Sequence, residues 1–225
     1  MRQLRRLTRF AKRHAFWRDQ AGVAAVEFAF LVPVLMLMTF GTIELTRALI
    51  IHKRFQRSAA MVGDLVAREK QLWPETKDSS TATTADAKAT LAGIMIAAQH
   101  AMEPYSTKSL TIKVYQVWAN MTKPTQTKIE WSYEYNFDTT AATTTGCGDP
   151  KTVDSGVLVG NGRAIFVEAK YNFKTILKNL LPGTIGDSSW SDTMVATPRD
   201  VPSVLYLPAL NNNSTWDKPS LLACQ

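Results

Sequence analysis

The stretch that decides the fold is AGVAAVEFAFLVPVLMLMTFGTIELTRALII, residues 21–51. No charged residue occurs from Phe28 to Ile43, and the apolar run continues past Glu44 and Arg47 to Ile51. The stretch from Phe28 to Ile51 holds 24 residues, and a helix crossing a bilayer needs about 20. Apolar residues cover every side of that helix, the pattern of a span rather than of a one-sided core helix. The run is longer than the apolar region of a cleaved secretory signal, roughly 7–15 residues. Its polar exit, ELTRALIIHKRF, offers no small-x-small cleavage site. A retained anchor is therefore expected.

Charge sets the direction. The chain has 225 residues and a formal charge of +7. Residues 1–22 carry Arg2, Arg5, Arg6, Arg9, Lys12, Arg13 and Arg18 against the single acid Asp19. The other residues are close to neutral, so the basic character belongs to a leader and not to a nucleic-acid surface. Bases concentrated before a span place that side in the cytoplasm. The layout is then a basic cytoplasmic leader (1–22), a transmembrane helix with an outward extension (23–70), a linker (71–83) and an extracytoplasmic domain (84–225). Cys147 and Cys224 both fall on the outer side, where a disulfide is permitted. Closing that loop would contribute about 4 kcal/mol in the chain-entropy treatment. Two free thiols are the alternative.

Two residues are odd within the span. Pro33 lacks an amide donor and clashes with the preceding turn, which predicts a kink near residues 29–33. Glu27 is a carboxylate at the edge of an apolar run. It either sits at the cytoplasmic interface, where water lowers its cost, or pairs with a specific charge. Cleavage after Gly22 would give Val23 a new positive amine. Glu27 lies four residues on, one helical turn away on the same face, so it could neutralise that amine or the amine of a neighbouring subunit. At the outer end, Glu44 and Arg47 share a face at i,i+3, which suits a local ion pair or a contact to a partner.

Gly22, then VAAV, then Glu27–Phe28 resembles the prepilin peptidase site of the tight-adherence (Flp-type) branch of type IV pilins, a basic leader being part of that pattern. The continuation resembles the start of TadE-like proteins. Their AxVEFAxxxPxxxxxxxGxxExxRA pattern is matched by Ala24, Val26, Glu27, Phe28, Ala29, Pro33, Gly41, Glu44, Arg47 and Ala48. Major Flp pilins are much shorter, and TadG-like relatives are usually longer. The resemblance implies removal of the leader by an inner-membrane prepilin peptidase, with processing at Gly22–Val23. It implies a pseudopilin or minor assembly subunit of an adhesive pilus. The implied partners are that peptidase, other pilus-assembly subunits and pilins, and the inner membrane, with the domain in the periplasm. An uncleaved single-span anchor that docks pilus machinery is the alternative.

Beyond the span, RFQRSAAMVGDLVAREKQLW places Ala59, Met61, Val62, Leu65 and Val66 at helical spacing. A helix from about 23 to 70 would be roughly 70 Å long. The Ser/Thr-rich ETKDSSTATTADAK reads as a linker, with Thr83 and Asp86 spaced to open the next helix. Its core stripe is Leu91, Ile94, Met95, Ala98 and Met102, and Pro104 stops it. Strands follow at period two. SLTIKVYQVWANM sets Leu110, Ile112 and Val114 on one face. TKIEWSYEYNF sets Ile129, Trp131, Tyr133 and Tyr135 on one face, with Lys128, Glu130, Ser132 and Glu134 on a solvated one. RAIFVEAKYNF sets Ile165, Val167, Ala169 and Tyr171 together. Lys123–Pro124 begins the first hairpin turn, and 138–162 is a Thr/Gly-rich loop. SDTMVATPRDVPSVLY adds a last strand broken by Pro198 and Pro202. Ile176, Leu177, Leu180 and Leu181 in FKTILKNLLPG are read as packing on the sheet, with membrane or subunit contact as the alternative. The fold class is α+β, a helix packed on an antiparallel sheet at the end of a membrane helix.

No catalytic motif is found. His14, His52 and His100 lack metal-ligand spacing, and neither C-x-x-C nor H-E-x-x-H occurs. No cofactor and no metal is expected. A membrane-anchored extracytoplasmic enzyme is the third reading, and no motif supports it.

Overall fold

The computed structural model describes residues 20–78, 81–120, 127–144, 148–154, 156–158, 162–176 and 187–206. The leader up to residue 19, the Lys123–Pro124 turn, Cys147, Cys224, Leu177, Leu180 and Leu181 lie outside them. The chain divides into two compact units, Met1–Arg47 and Ala48–Gln225.

Helix α1 runs from Gln20 to Arg68 with Pro33 inside it. The first unit is the apolar part of this helix. Its large apolar side chains are mostly exposed, Phe28 at 62 % and Phe30 at 77 % among them. From Gly22 on, α1 has the length and hydropathy of a membrane span. Its hydroxyls are satisfied locally. Thr39, Thr42 and Thr46 donate to the carbonyls of Leu35, Met38 and Thr42, each at 2.8 Å. A helix whose polar groups bond within itself can lie in hydrocarbon.

The second unit begins on α1 and is closed by one helix and one sheet. Helix α2, Thr84–Met102, opens with a capping box between Thr83 and Asp86. It buries Ala87, Leu91, Ile94, Met95, Ala98 and Met102, the stripe its spacing predicts. Strands β1 (Leu110–Ala119), β2 (Thr127–Asn136), β3 (Ala141–Thr143), β4 (Arg163–Phe173) and β5 (Ser188–Ala196) form one sheet in the order β3-β2-β1-β4-β5. Every pairing is antiparallel. The expected long loop 138–162 therefore holds a short edge strand, β3. The last strand ends at Ala196, two residues before Pro198, because proline removes a ladder donor.

The domain half of α1 and α2 cover one face of the sheet. Ile51, Phe55, Ala59, Val62 and Val66 pack with the α2 stripe and with Leu110, Ile112, Val114, Trp131, Tyr133, Ile165, Val167 and Ala169. Met61, expected in this set, is 41 % exposed. Ser58 Oγ donates to Ala98 O at 3.1 Å and ties the two helices together. Gly63 sits against the sheet, where an added Cβ would lie 3.4 Å from Val167 Cγ2. Leu72 and Trp73, in the expected linker, are buried. Leu72 N donates to Leu205 O at 2.8 Å, and Leu205 N donates to Lys70 O at 3.2 Å.

The opposite face is not simply wet. Tyr115, Val117, Ile129, Ala164 and Phe166 form a second buried cluster, packed against Val153 and Leu158. Ile129 was expected beside Trp131. The register explains the change: Gln116 faces Trp131, but Val117 faces Ile129, so Glu130 has no residue opposite it. A bulge adds one residue and inverts the alternation beyond it.

Candidate functional site

The residues singled out for processing and assembly all lie on α1. Gly22, Val23, Glu27, Phe28 and Pro33 are exposed on one continuous helix. A Cβ at Gly22 would meet nothing within 4 Å, and the same holds at Gly41. Neither glycine is needed for packing within the chain. At position 22, glycine instead lowers the cost of unwinding the helix by about 1 kcal/mol relative to alanine. A peptidase needs that backbone extended. Val23 and Glu27 are one turn apart on the same face. Glu27 has no ion-pair or hydrogen-bond partner among the described residues. One turn from the end of the first unit, Arg47 Nη1 donates to Glu44 Oε1 at 3.1 Å, and Glu44 is buried.

The second unit holds two polar clusters that the sequence did not reveal. The first surrounds Glu130, expected on a solvated face and found 2 % exposed. The bulge turns it inward. Arg163 Nε donates to both carboxylate oxygens, at 3.0 and 3.1 Å, and Gln116 Nε2 donates to Oε2. Gln116 Nε2 also reaches Ser203 Oγ at 2.8 Å, while its Oε1 accepts from Val204 N at 2.9 Å. Trp131 Nε1 donates to Val204 O at 3.1 Å. The group thus fastens residues 203–204 to the sheet. Burial pushes the Glu130 carboxyl up, and the Arg163 guanidinium opposes that.

The second cluster edges the other face. Lys151 Nζ lies 2.7 Å from Glu168 Oε1, and Tyr115 OH donates to the same oxygen. Burial, then the hydrogen bond to Glu168, pushes Tyr115 up to about 12. Burial raises Glu168, but hydrogen bonds from Lys151 and Tyr115 outweigh it and hold the carboxyl below its ordinary value. Lys151 is raised, chiefly by its bond to Glu168. All three protonation states are locked near neutral pH. A general acid or base works best with its pKa near the operating pH, so this set suits a clamp over the Tyr115–Phe166 stack, whose centroids are 5.5 Å apart. Among the described residues no group of three or more His, Cys, Asp or Glu could hold a metal ion.

The clue to Glu130 was the arginine that opens β4. Nothing in a period-two pattern marks the bulge that brings them together, so pairing Glu130 with Arg163 needed the register.

Residues 22–63 match the family model described as TadE-like protein. The match begins at Gly22 and ends on the helix before the sheet, so it covers the apolar run, Glu27, Pro33, Glu44 and Arg47 and leaves the strands outside. The TadE-like family is one of components associated with tight-adherence pili, and the matched helix is long and apolar enough to cross a membrane. Comparison with curated proteins and with solved structures found no match.

Proposed function

Starting from a TadE-like first helix, we propose that this chain is a pseudopilin or minor assembly subunit of a tight-adherence pilus, cleaved after Gly22. One observation carries the reading. The TadE-like match starts at the glycine, and five residues later stands an exposed carboxylate with no partner among the described residues. Cleavage supplies that partner. The Val23 amine would lie one turn from Glu27, on the same subunit or the next, and pairing lowers the cost of holding both charges near hydrocarbon. The N-terminus is cytoplasmic and the domain periplasmic in this reading, with the inner membrane between them. The prepilin peptidase is the first partner, and pilins or other assembly subunits follow. The chain is not an enzyme.

A second reading is a permanent single-span anchor that docks the assembly machinery. The start of α1 at Gln20 favours it, because the Gly22–Val23 bond then lies inside a helix. The mass of the N-terminal peptide from native membranes separates the two. A chain beginning at Val23 supports the pseudopilin. A chain beginning at Met1 rules out cleavage and leaves the anchor.

A further inference from the structure

The two edges of the sheet differ. On the β2 side, β3 pairs with residues 134–136, and residues 148–151 bond to Thr127 and Ile129. The other edge is β5, nine residues long. Ahead of it Ile176, expected to pack on the sheet, is 67 % exposed.

The register shows which backbone groups β5 leaves open. Asn172 N donates to Ser109 O at 3.1 Å, and Ala119 N donates to Gly162 O at 3.0 Å. Even-numbered residues of β4 therefore bond to β1, and odd-numbered ones turn to β5. Val167 faces Met194 and Ala169 faces Asp192, so the even-numbered residues of β5 complete that ladder. Ser189, Ser191, Thr193 and Val195 turn their N–H and C=O groups away from the sheet. Asp192 Oδ1 accepts from Thr193 N at 2.9 Å. The backbone groups of Ser189, Ser191 and Val195 have no partner among the described residues. Such an edge is a template for a further strand, and proteins ordinarily blunt it with lysine, proline or a bulge. The sequence SSWSDTMVA contains neither residue, and its pairing with β4 keeps one register throughout.

Asp192 selects what can pair there. It shares a face with Trp190 and Met194, both packed on the main core. Its Oδ2 is buried and has no hydrogen-bond partner among the described residues. Burying a charged oxygen without a partner is costly. In an added strand, the residue opposite Asp192 would occupy a non-hydrogen-bonded pair, where side chains lie closest. A second copy of β5 supplies no cation, because the strand holds no lysine or arginine. Its register of full overlap would set Asp192 against itself, and like charges directly opposite are destabilising.

We infer that β5 is a docking edge for an extended strand of a partner protein, one that places lysine or arginine opposite Asp192. The incoming backbone takes up Ser189, Ser191 and Val195 and replaces Asp192 Oδ1 at Thr193 N. The freed carboxylate then accepts from the base. The edge belongs wholly to the second unit, so the inference is the same whether or not the leader is cut.

Two nine-residue peptides of alternating threonine and valine, one with lysine at its centre and one with glutamate, test it against the full chain in detergent. Amide hydrogen exchange is read residue by residue over 188–196. The lysine peptide should slow exchange at Ser189, Ser191 and Val195 and bind about tenfold more tightly than its twin, the scale of a hydrogen bond to a charged group. Asp192→Asn should remove that preference, and Asp192→Lys should reverse it. Ser191→Pro deletes an outward donor and keeps the β4 ladder, so it should abolish binding with little change in the unfolding midpoint. No slowing by either peptide, or equal binding of the two, overturns the inference. Slow exchange at those three amides in the protein alone also overturns it. If independent of protein concentration, it means that the chain covers its own edge, and if dependent, that a second copy does.

Discussion

Glu130 and Arg163 show what one misplaced charge would cost. Both are buried, at 2 % and 8 % exposure. Each satisfies the other, and Gln116 completes the carboxylate. Removing one partner from such a pair leaves an uncompensated buried charge, which costs about 3–5 kcal/mol. Arg163→Ala should lose stability on that scale in denaturant unfolding. Replacing both with well-packed apolar residues should cost less, since no charge is left alone. A single variant as mild as the double one would show that the pair is not desolvated. Glu27 presents the opposite case, an exposed carboxylate outside any packed core. Glu27→Ala should leave the circular dichroism spectrum and membrane insertion unchanged while blocking incorporation into the pilus apparatus. Normal incorporation would end the charge-neutralisation idea.

At the scale of elements, the capping box decides where α2 begins. Thr83 N and Oγ1 each donate to Asp86 Oδ2 at 2.8 Å, and Lys77 Nζ lies 2.6 Å from Oδ1. The Lys77 hydrogen bond, then those from Thr83, lowers the Asp86 carboxyl from 3.8 to about 2. A carboxyl depressed by folding stabilises the native state above its unfolded pKa and loses that contribution as pH falls through the folded one. The α2 contribution should therefore fade between about pH 4 and pH 2, and Asp86→Asn should flatten the dependence of Tm on pH in that window. Thr83→Ala should cost about 1 kcal/mol. Gly63 and Gly41 separate packing from assembly. Gly63→Leu would press on Val167 and should destabilise the domain by about 1–3 kcal/mol through overpacking. A Cβ at Gly41 meets nothing within 4 Å, so Gly41→Ala should leave the unfolding midpoint unchanged, and any assembly defect in it reports a partner.

Across the whole molecule, apolar residues fall into two regimes. The first unit exposes them along α1, and the second buries them between two helices and five strands. The chain runs from one regime to the other within a single helix. Residues 203–205 close the domain. Gln116 and Trp131 hold 203–204, and residues 70–72 pair with Leu205. A Cys147–Cys224 bridge would further restrict the unfolded chain. The mature protein should then run faster on a non-reducing gel than on a reducing one, and equal mobility would argue against the bridge.

The sequence by itself determined the long apolar helix and its TadE-like pattern, the Thr83 cap, the α2 stripe and the inward sets of β1 and β4. Each of these is a local pattern, written in a run length, a spacing of three or four, or an alternation of two. Tertiary structure alone decided the rest. Ile129 changed face because a bulge is a property of two paired strands, not of one. Glu130 became buried because that bulge met an arginine 33 positions away on another strand. Ile176 stayed outside although it is apolar, because burial depends on which surface the fold leaves within reach. Sequence periodicity names the residues that can share a face, and only the register and packing of distant segments decide which face is covered.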